Sequence, residues 1–386
     1  MDSSLILKNF NSRIKSDHQK KLKKYLKEIS NNNWPKFLDS FKKNYHYDYK
    51  RNFLKKYNKY NNVNVIGMGG SSLGSKAIYN FLNYKIKKKL NFFENLNLKK
   101  NNKKKSLNLI ISKSGNTLET ISNFNTIQNK LNKNIFITQN TNNYLNELAK
   151  KLKSDIIEHK NFIGGRFSVL SEAGMLPAQL MGLKESKFKQ FNSLIIKKNF
   201  VNKLTHNVLS TFSYIKNKKL NSVILNYDPE SDDLFKWYQQ LVSESLGKKS
   251  KGLFPIVSQM PKDNHSILQL YLDGPKSNFY TFFIVENKNN IKINSKLLFK
   301  DFEFLKNKTT YEILNAQRIA TESIFKKKKI PYRSFYIRKR NEETLGKLFC
   351  FFTLEVILLS HLLKVDPLNQ PAVELVKKET FKILKN

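Results

Sequence analysis

The sequence predicts an α/β protein built from two doubly wound parallel sheets. Short apolar segments of strand length alternate with longer segments whose apolar residues have helical spacing. This alternation stops near residue 153 and resumes near residue 222, which indicates two α/β units. At 386 residues, the chain is also long enough for two domains of ordinary size.

The elements are predicted in chain order. Residues 1–55 form a helical lead-in on the surface, because Leu22, Tyr25, Leu26 and Ile29 have helical spacing. The first α/β domain, 56–195, has strands at 63–67, 107–112 and 134–138 and helices at 73–83, 117–131 and 142–153. The second, 196–341, has strands at 222–227 and 279–286 and a helix at 232–246. A helical tail over 342–386 breaks near Asp366 and Pro367.

Composition restricts the class of protein. The one cysteine, Cys350, excludes an intrachain disulfide, and the N-terminus lacks the basic start of a signal peptide, so we expect a cytoplasmic protein. The apolar stretch 348–363 is interrupted by Glu355 and His361 and therefore predicts a buried helix rather than a membrane span.

The net charge of +40 raises the question of nucleic acid. The positive residues are mostly lysines mixed with asparagine, in runs such as KNNKKK (100–105) and FKKKKI (325–330). No aromatic RNA-binding motif or zinc-ligand spacing accompanies them, which favours a solvated basic surface over a nucleic-acid site. Such a field would still attract a small phosphorylated substrate.

Two turns rich in small residues follow predicted strands. VIGMGGSSLGS (65–75) has glycines without dinucleotide or P-loop spacing, and SKSGNTLET (112–120) places four hydroxyls where a helix begins. Hydroxyls and free backbone N–H groups at a helix N-terminus are typical of phosphate sites. Because carboxyl ends of parallel strands share one edge of a sheet, both turns are expected to contact one ligand.

Candidate acid, base and cation residues lie further along the chain. Arg166 follows two glycines in GGRFS among apolar neighbours, and a partly buried arginine of this kind requires an anion. Gln240, Glu244 and Lys248 are spaced to lie along one helix face, and His265 stands among loop-forming residues. A glutamate and a histidine in one site can divide base and acid roles.

These motifs, in this order, resemble the glucose-6-phosphate isomerase (phosphoglucose isomerase) family. The resemblance covers GMGGSSLGS, SKSGNTLET, GGRFSVLSEAGML, QQLVSESLGKKSKG, NHSILQLYLDGP and NQPAVELVKK, from about residue 60 to the C-terminus. It implies two flavodoxin-like sugar-isomerase domains, no cofactor and no metal. It also implies a homodimer that acts on a small sugar phosphate, with an active-site histidine supplied by the neighbouring subunit.

The resemblance also implies roles for residues. Glu244 would move a proton between C2 and C1 of the sugar, Arg166 would stabilise the enediolate, and His265 with Lys377 would open the sugar ring. The substrate-binding residues would be Gly70, Ser71, Ser112, Lys113, Ser114, Thr117, Gln240 and Gln370. The last motif departs from the family pattern at Pro371 and Val376, and Lys378 is a rival to Lys377.

Three alternatives to interconversion of glucose 6-phosphate and fructose 6-phosphate stay open from the sequence. The first is a related isomerase that also accepts mannose 6-phosphate. The second is a non-catalytic sugar-phosphate-binding protein, although the presence of Glu244, His265 and Arg166 disfavours it. The third is nucleic-acid binding driven by the net positive charge.

Overall fold

The computed structural model describes residues 4–12, 14–30, 35–96, 105–286 and 291–385. Most of the basic run at 100–105 lies outside these ranges. The strands are β1 (Leu5–Lys8), β2 (Asn62–Ile66), β3 (Lys89–Phe93), β4 (Leu107–Ile111), β5 (Lys133–Thr138), β6 (Asp155–Glu158), β7 (Asn221–Asn226), β8 (Phe254–Gln259), β9 (Asn278–Val285) and β10 (Tyr332–Ile337). The helices are α1 (Ser16–Ser30), α2 (Arg51–Lys55), α3 (Leu73–Phe81), α4 (Leu118–Ile127), α5 (Tyr144–Lys151), α6 (Glu172–Leu180), α7 (Glu185–Phe188), α8 (Phe191–Ile195), α9 (Lys198–Lys216), α10 (Asp232–Leu246), α11 (Leu268–Asp273), α12 (Thr310–Lys327), α13 (Glu342–Leu363) and α14 (Pro371–Lys385).

The first sheet has five parallel strands in the order β3-β2-β4-β5-β6, the order of a doubly wound sheet. All five residues of β4 are buried, as expected for a central strand covered by helices on both faces. The three strands predicted here are confirmed to within one residue. Strands β3 and β6 were not predicted, because KLNFF and DIIE are short edge segments interrupted by polar residues.

A ladder of asparagine side chains crosses this sheet. Asn91, Asn64, Asn108 and Asn134 occupy paired positions on β3, β2, β4 and β5. Each amide donates to the next, over 3.0 Å from Asn91 to Asn64, 2.9 Å from Asn64 to Asn108 and 2.9 Å from Asn108 to Asn134. The ladder satisfies polar groups that would otherwise be costly to bury.

The second sheet has the order β1-β10-β9-β7-β8, parallel except for β1, which pairs antiparallel with β10. Strand β1 corrects the prediction that residues 1–55 form only a helical lead-in. Its four residues bury Leu5 and Leu7 and are too few for a periodic signal. Helix α1 is confirmed as a helix, but Leu22 and Leu26 belong to the buried core rather than to the surface.

The two helices of the C-terminal segment differ in burial. Helix α13 is long and apolar enough to cross a membrane, but 89% of its most apolar 18-residue window is buried inside the protein. It is therefore a core helix, which confirms the prediction for 348–363. The chain breaks after Leu363, and α14 then leaves the core with none of its residues buried.

Candidate functional site

Arg166 is the centre of the candidate site. It lies in a 3₁₀ helix, Gly165–Leu170, that follows β6, and its side chain is 3% exposed. Its Nε donates to Ser245 Oγ over 3.0 Å, and its Nη1 donates to Glu244 Oε2 over 2.9 Å. The fork of the guanidinium is therefore held from two directions, which fixes the position of the charge.

Glu244 lies near the C-terminus of α10 and is 25% exposed, so its carboxylate reaches solvent while Arg166 beside it does not. Gln240, one turn earlier on the same face, donates from Nε2 to Glu244 Oε1 over 2.8 Å. Each carboxylate oxygen thus has one donor. A carboxylate fixed in this way can accept a proton from a bound molecule without first reorganising.

The segment between α13 and α14 closes over Arg166. Gln370 Oε1 accepts from Nη1 over 2.6 Å, and the carbonyl of Asn369 accepts from Nη2 over 3.3 Å. The carbonyl of Pro367 is a further acceptor for Nη2. Gln370, predicted from the sequence as a substrate-binding residue, therefore reaches the same guanidinium as Glu244.

Most of the charged groups around the site are positive. Burial lowers the pKa of Arg166, and the charge of Glu244 partly opposes that shift. Burial, with a contribution from the Arg166 charge, also lowers the pKa of Lys113 and the pKa of Lys248. The Arg166 charge therefore acts on both lysines, and the three cations create a positive potential suited to an anionic ligand.

The hydroxyl turn forms an open helix N-terminus. Ser112 and Thr117 bond each other through their hydroxyls over 2.8 Å, and Thr117 does not cap α4. The first three N–H groups of α4 have no intrahelical acceptor by geometry and are available to a phosphate. Gly115 has φ +68°, and a Cβ there would lie 1.8 Å from Asn143 Oδ1, so only glycine fits this bend. Lys113 is half-buried and Ser114 is exposed.

The glycine turn packs against the arginine turn. A Cβ on Gly70 would lie 2.1 Å from the carbonyl carbon of Gly165, so the close approach of the two backbones excludes any side chain. Ser168 Oγ donates to the Gly70 carbonyl over 3.1 Å and holds the two turns together. Ser71 is half-buried, whereas Ser72 is buried and donates to Glu94 Oε1 over 2.7 Å.

Two predicted residues lie apart from the Arg166 cluster in this chain. His265 is exposed in the turn before α11, and its imidazole has no hydrogen bond, ion pair or ring contact within the described residues. Lys377 lies on α14 and pairs with Glu374 over 2.7 Å, with both side chains more than half exposed. Among the described residues, neither side chain forms a hydrogen bond or ion pair with Glu244.

Ser245 and Asn143 have positions at the site that the sequence reasoning missed. Ser245 directly follows Glu244, and this adjacency is the one signal that could have identified it. Asn143 caps α5 and packs under Gly115 from 28 residues away, a contact without a local signature. Within the described ranges, no three His, Cys, Asp or Glu residues are grouped as metal ligands would be.

Solved structures share this fold. A hypothetical protein from Thermus thermophilus superposes with a TM-score of 0.80 over 95% of both chains at 21% identity. A glucose-6-phosphate isomerase from Chlamydia trachomatis gives a TM-score of 0.70 over 96% of this chain and 74% of that one, at 17% identity. These likenesses define the fold class, a chain with two parallel α/β sheets.

Sequence comparison specifies the family. The model described as "Phosphoglucose isomerase" matches residues 55–386. A glucose-6-phosphate isomerase of Methanocaldococcus jannaschii is 32% identical over 88% of each chain. One of Mycoplasmopsis synoviae is 33% identical over 83% of this chain and 82% of its own. The chain belongs to the phosphoglucose isomerase family.

Proposed function

We propose that this enzyme interconverts glucose 6-phosphate and fructose 6-phosphate through an enediolate, in glycolysis and gluconeogenesis. The relatives named above, each matched over more than four fifths of its length, support the substrate. The contact between the Arg166 guanidinium and the Glu244 carboxylate is the main structural support for the proposed reaction.

The phosphate is proposed to bind at the open N-terminus of α4. Ser112, Ser114 and Thr117 supply hydroxyls there, Ser71 supplies another from the glycine turn, and Lys113 supplies charge. Because Arg166 shifts the pKa of Lys113, the phosphate site and the arginine lie within electrostatic reach of each other. A sugar phosphate bound at the turn would therefore extend its carbon chain toward Glu244.

Glu244 is proposed to act as the base. Its carboxylate removes the proton from C2 of the open-chain aldose, leaving an enediolate. The O2 hydroxyl proton moves to O1, and the carboxylate returns its own proton to C1 to give the ketose. Negative charge develops on the sugar oxygens in this step, and the fixed Arg166 guanidinium stabilises it without reorganisation. Gln240 and Gln370 hold the carboxylate and the guanidinium in their mutual orientation.

Glu244→Gln tests this role. The variant keeps the size of the side chain but lacks a base, so kcat should fall by about 10² or more while substrate binding changes little. The measurement follows glucose 6-phosphate from fructose 6-phosphate with a coupled dehydrogenase. Glu185→Gln is the matched control, because Glu185 also pairs with an arginine but lies outside the site. Near-normal turnover of Glu244→Gln would refute the assignment.

A homodimer is proposed to complete the site with His265 of the second subunit, which with Lys377 would open the sugar ring. Exposed apolar side chains support a partner surface: Phe299 is 85% exposed, and Leu375 and Val376 on α14 are also exposed. Mixing inactive Glu244→Gln and His265→Ala subunits under exchange should restore activity, since one site in each mixed dimer would be intact. No recovery, with subunit exchange demonstrated, would contradict this arrangement.

The remaining alternatives concern which sugar phosphates are substrates and whether the protein catalyses their conversion. Mannose 6-phosphate requires the same base and differs at C2, so supplying it to the coupled assay decides whether it is also a substrate. A non-catalytic binding protein would retain fructose 6-phosphate without producing glucose 6-phosphate at micromolar enzyme. A cytoplasmic location fits a cytoplasmic pathway and the single reduced cysteine, Cys350.

A further inference from the structure

A large cavity lies at the amino-terminal edge of the second sheet. Its volume is ≈ 1210 Å³, and it is bounded by the amino ends of β7, β9 and β10 and by the residues that follow β1. None of its lining residues belongs to the candidate isomerase site. A cavity of this size is large enough for a ligand bigger than a sugar phosphate.

The lining of this cavity is strongly positive. Six lysines contribute to it against one acidic residue, Asp273, and they include three from the run FKKKKI that the isomerase function does not use. The lysines are Lys8, Lys219, Lys276, Lys326, Lys328 and Lys329. Asp273 offsets little of this charge, because it approaches Lys328 only at 3.8 Å and both side chains are exposed.

Several of these charges lack a side-chain partner in the part of the chain that the structure describes. Within the described residues, the ammonium groups of Lys276, Lys326 and Lys329 form no hydrogen bond, ion pair or ring contact. Lysines do favour helix C-termini, and α9 and α12 both end at this cavity. The two helix dipoles together supply only about one negative charge, so they leave most of the lysine charge uncompensated.

Lys329 also adopts an unusual backbone conformation at the rim. Its φ is +55°, in the left-handed region that favours glycine, yet a lysine occupies the position. Lys153 and Lys218 have the same conformation just after other helices, so the conformation marks a helix end and would also accept glycine. Tyr214 and Tyr332, both half-buried in the wall, add aromatic surface beside the lysines.

We propose that this cavity, lined by the six lysines, binds a polyphosphate chain, either as inorganic polyphosphate or as part of a nucleoside triphosphate. The clustered charges match a ligand with several adjacent phosphates better than one with a single phosphate. The tyrosines would contact a base only in the nucleoside case. The site is independent of the isomerase activity, so its test does not require turnover.

The test measures binding of inorganic tripolyphosphate by titration calorimetry at 0.15 M salt, with excess fructose 6-phosphate present to occupy the isomerase site. Lys329→Gly should weaken binding by about fivefold, the effect of one nearby charge. The variant should fold normally, because glycine suits φ +55°. Lys218→Gly is the matched control, since Lys218 has φ +57° and lies outside the cavity lining.

The outcomes separate the possibilities. A loss of affinity in Lys329→Gly but not in Lys218→Gly supports the site, and a further loss in Lys276→Gln would add to it. Equal affinity for ATP and tripolyphosphate then indicates inorganic polyphosphate, whereas tighter ATP binding indicates a nucleoside triphosphate. The proposal is overturned if both glycine variants behave alike, or if fructose 6-phosphate abolishes tripolyphosphate binding.

Discussion

At the residue scale, Arg166 depends on groups from three distant parts of the chain. Its guanidinium contacts Glu244 and Ser245 on α10 and Gln370 beyond α13, while its own backbone lies in the turn after β6. A lysine has one ammonium group and cannot reproduce this fork of contacts. The arginine is therefore specified by geometry as well as by charge.

Arg166→Lys should lower kcat by about 10²-fold, the usual cost of losing a fixed donor to a developing oxyanion. The coupled assay measures it, with KM reported separately. Arg333→Lys is the control, because Arg333 is also buried and paired with a carboxylate, Glu355, away from the site. The control should lose stability and keep kcat. Equal losses of kcat in both variants would show that Arg166 acts only through folding.

At the element scale, the site depends on how closely two turns approach. The glycine turn after β2 and the arginine turn after β6 meet at Gly70 and Gly165, and each follows a strand of the same parallel sheet. The carboxyl ends of those strands bring the turns to one edge. The small residues thus position the arginine as well as leaving room for a ligand.

Gly70→Ala should destabilise the enzyme by about 1–3 kcal/mol, because the new methyl group would overlap the Gly165 backbone. Gly164→Ala is the control, since a Cβ there would meet nothing closer than 3.6 Å. Urea unfolding of both variants measures the difference in free energy of unfolding. If the two variants were equally stable, the close approach of the turns would not be a packing constraint.

The asparagine ladder gives a second test at this scale. Asn108→Leu removes the middle amide and leaves Asn64 Nδ2 and Asn134 Oδ1 without their ladder partner, which should cost about 1–3 kcal/mol. Asn91→Leu, at the half-buried end of the ladder, should cost less. Thermal and urea unfolding provide the comparison. A larger loss for Asn91→Leu would contradict this account of the ladder.

At the scale of the whole molecule, Lys189 joins segments that are far apart in the chain, the nearer of them 19 residues away and the other 149 residues away. It is buried, its ammonium group donates to the carbonyls of Ser40 and Leu170, and it lies 5.0 Å above the ring of Tyr45. Burial lowers the pKa of Lys189 from 10.5 to about 7. The folded protein therefore binds this proton less tightly than the unfolded chain does.

This shift predicts a pH dependence of stability. Above about pH 7 the unfolded chain holds the Lys189 proton and the folded one releases it, so stability should rise with pH by up to about 1 kcal/mol per unit from this group. Lys189→Met should remove that slope between pH 7 and 9. Above pH 9, burial of Cys350 raises the pKa of its thiol, so this group makes stability fall as the pH rises. Unfolding free energies of both proteins at pH 7, 8 and 9 test the prediction, and parallel slopes would contradict it.

The sequence predicts features that depend on neighbouring residues better than features that depend on residues far apart in the chain. Helix α10 and the strands of the first sheet's centre have periodic apolar patterns, and they were predicted with nearly correct bounds. Strands β1, β3 and β6 are short or lie at sheet edges, where burial on one side gives little pattern. The contacts of Arg166 with Pro367 and Gln370 span about 200 residues, and no local signal reports them.

The sequence by itself determined the class of fold, the family and the identities of the candidate acid, base and phosphate-binding residues. Motif order and side-chain chemistry are properties of the sequence and do not depend on how the chain packs. Only the tertiary structure decided which of these residues meet. It joined Arg166 to Glu244 and Gln370, and it left His265 and Lys377 on exposed surfaces. The physical reason is that distances between side chains depend on how sheets and turns pack, which residue spacing does not encode.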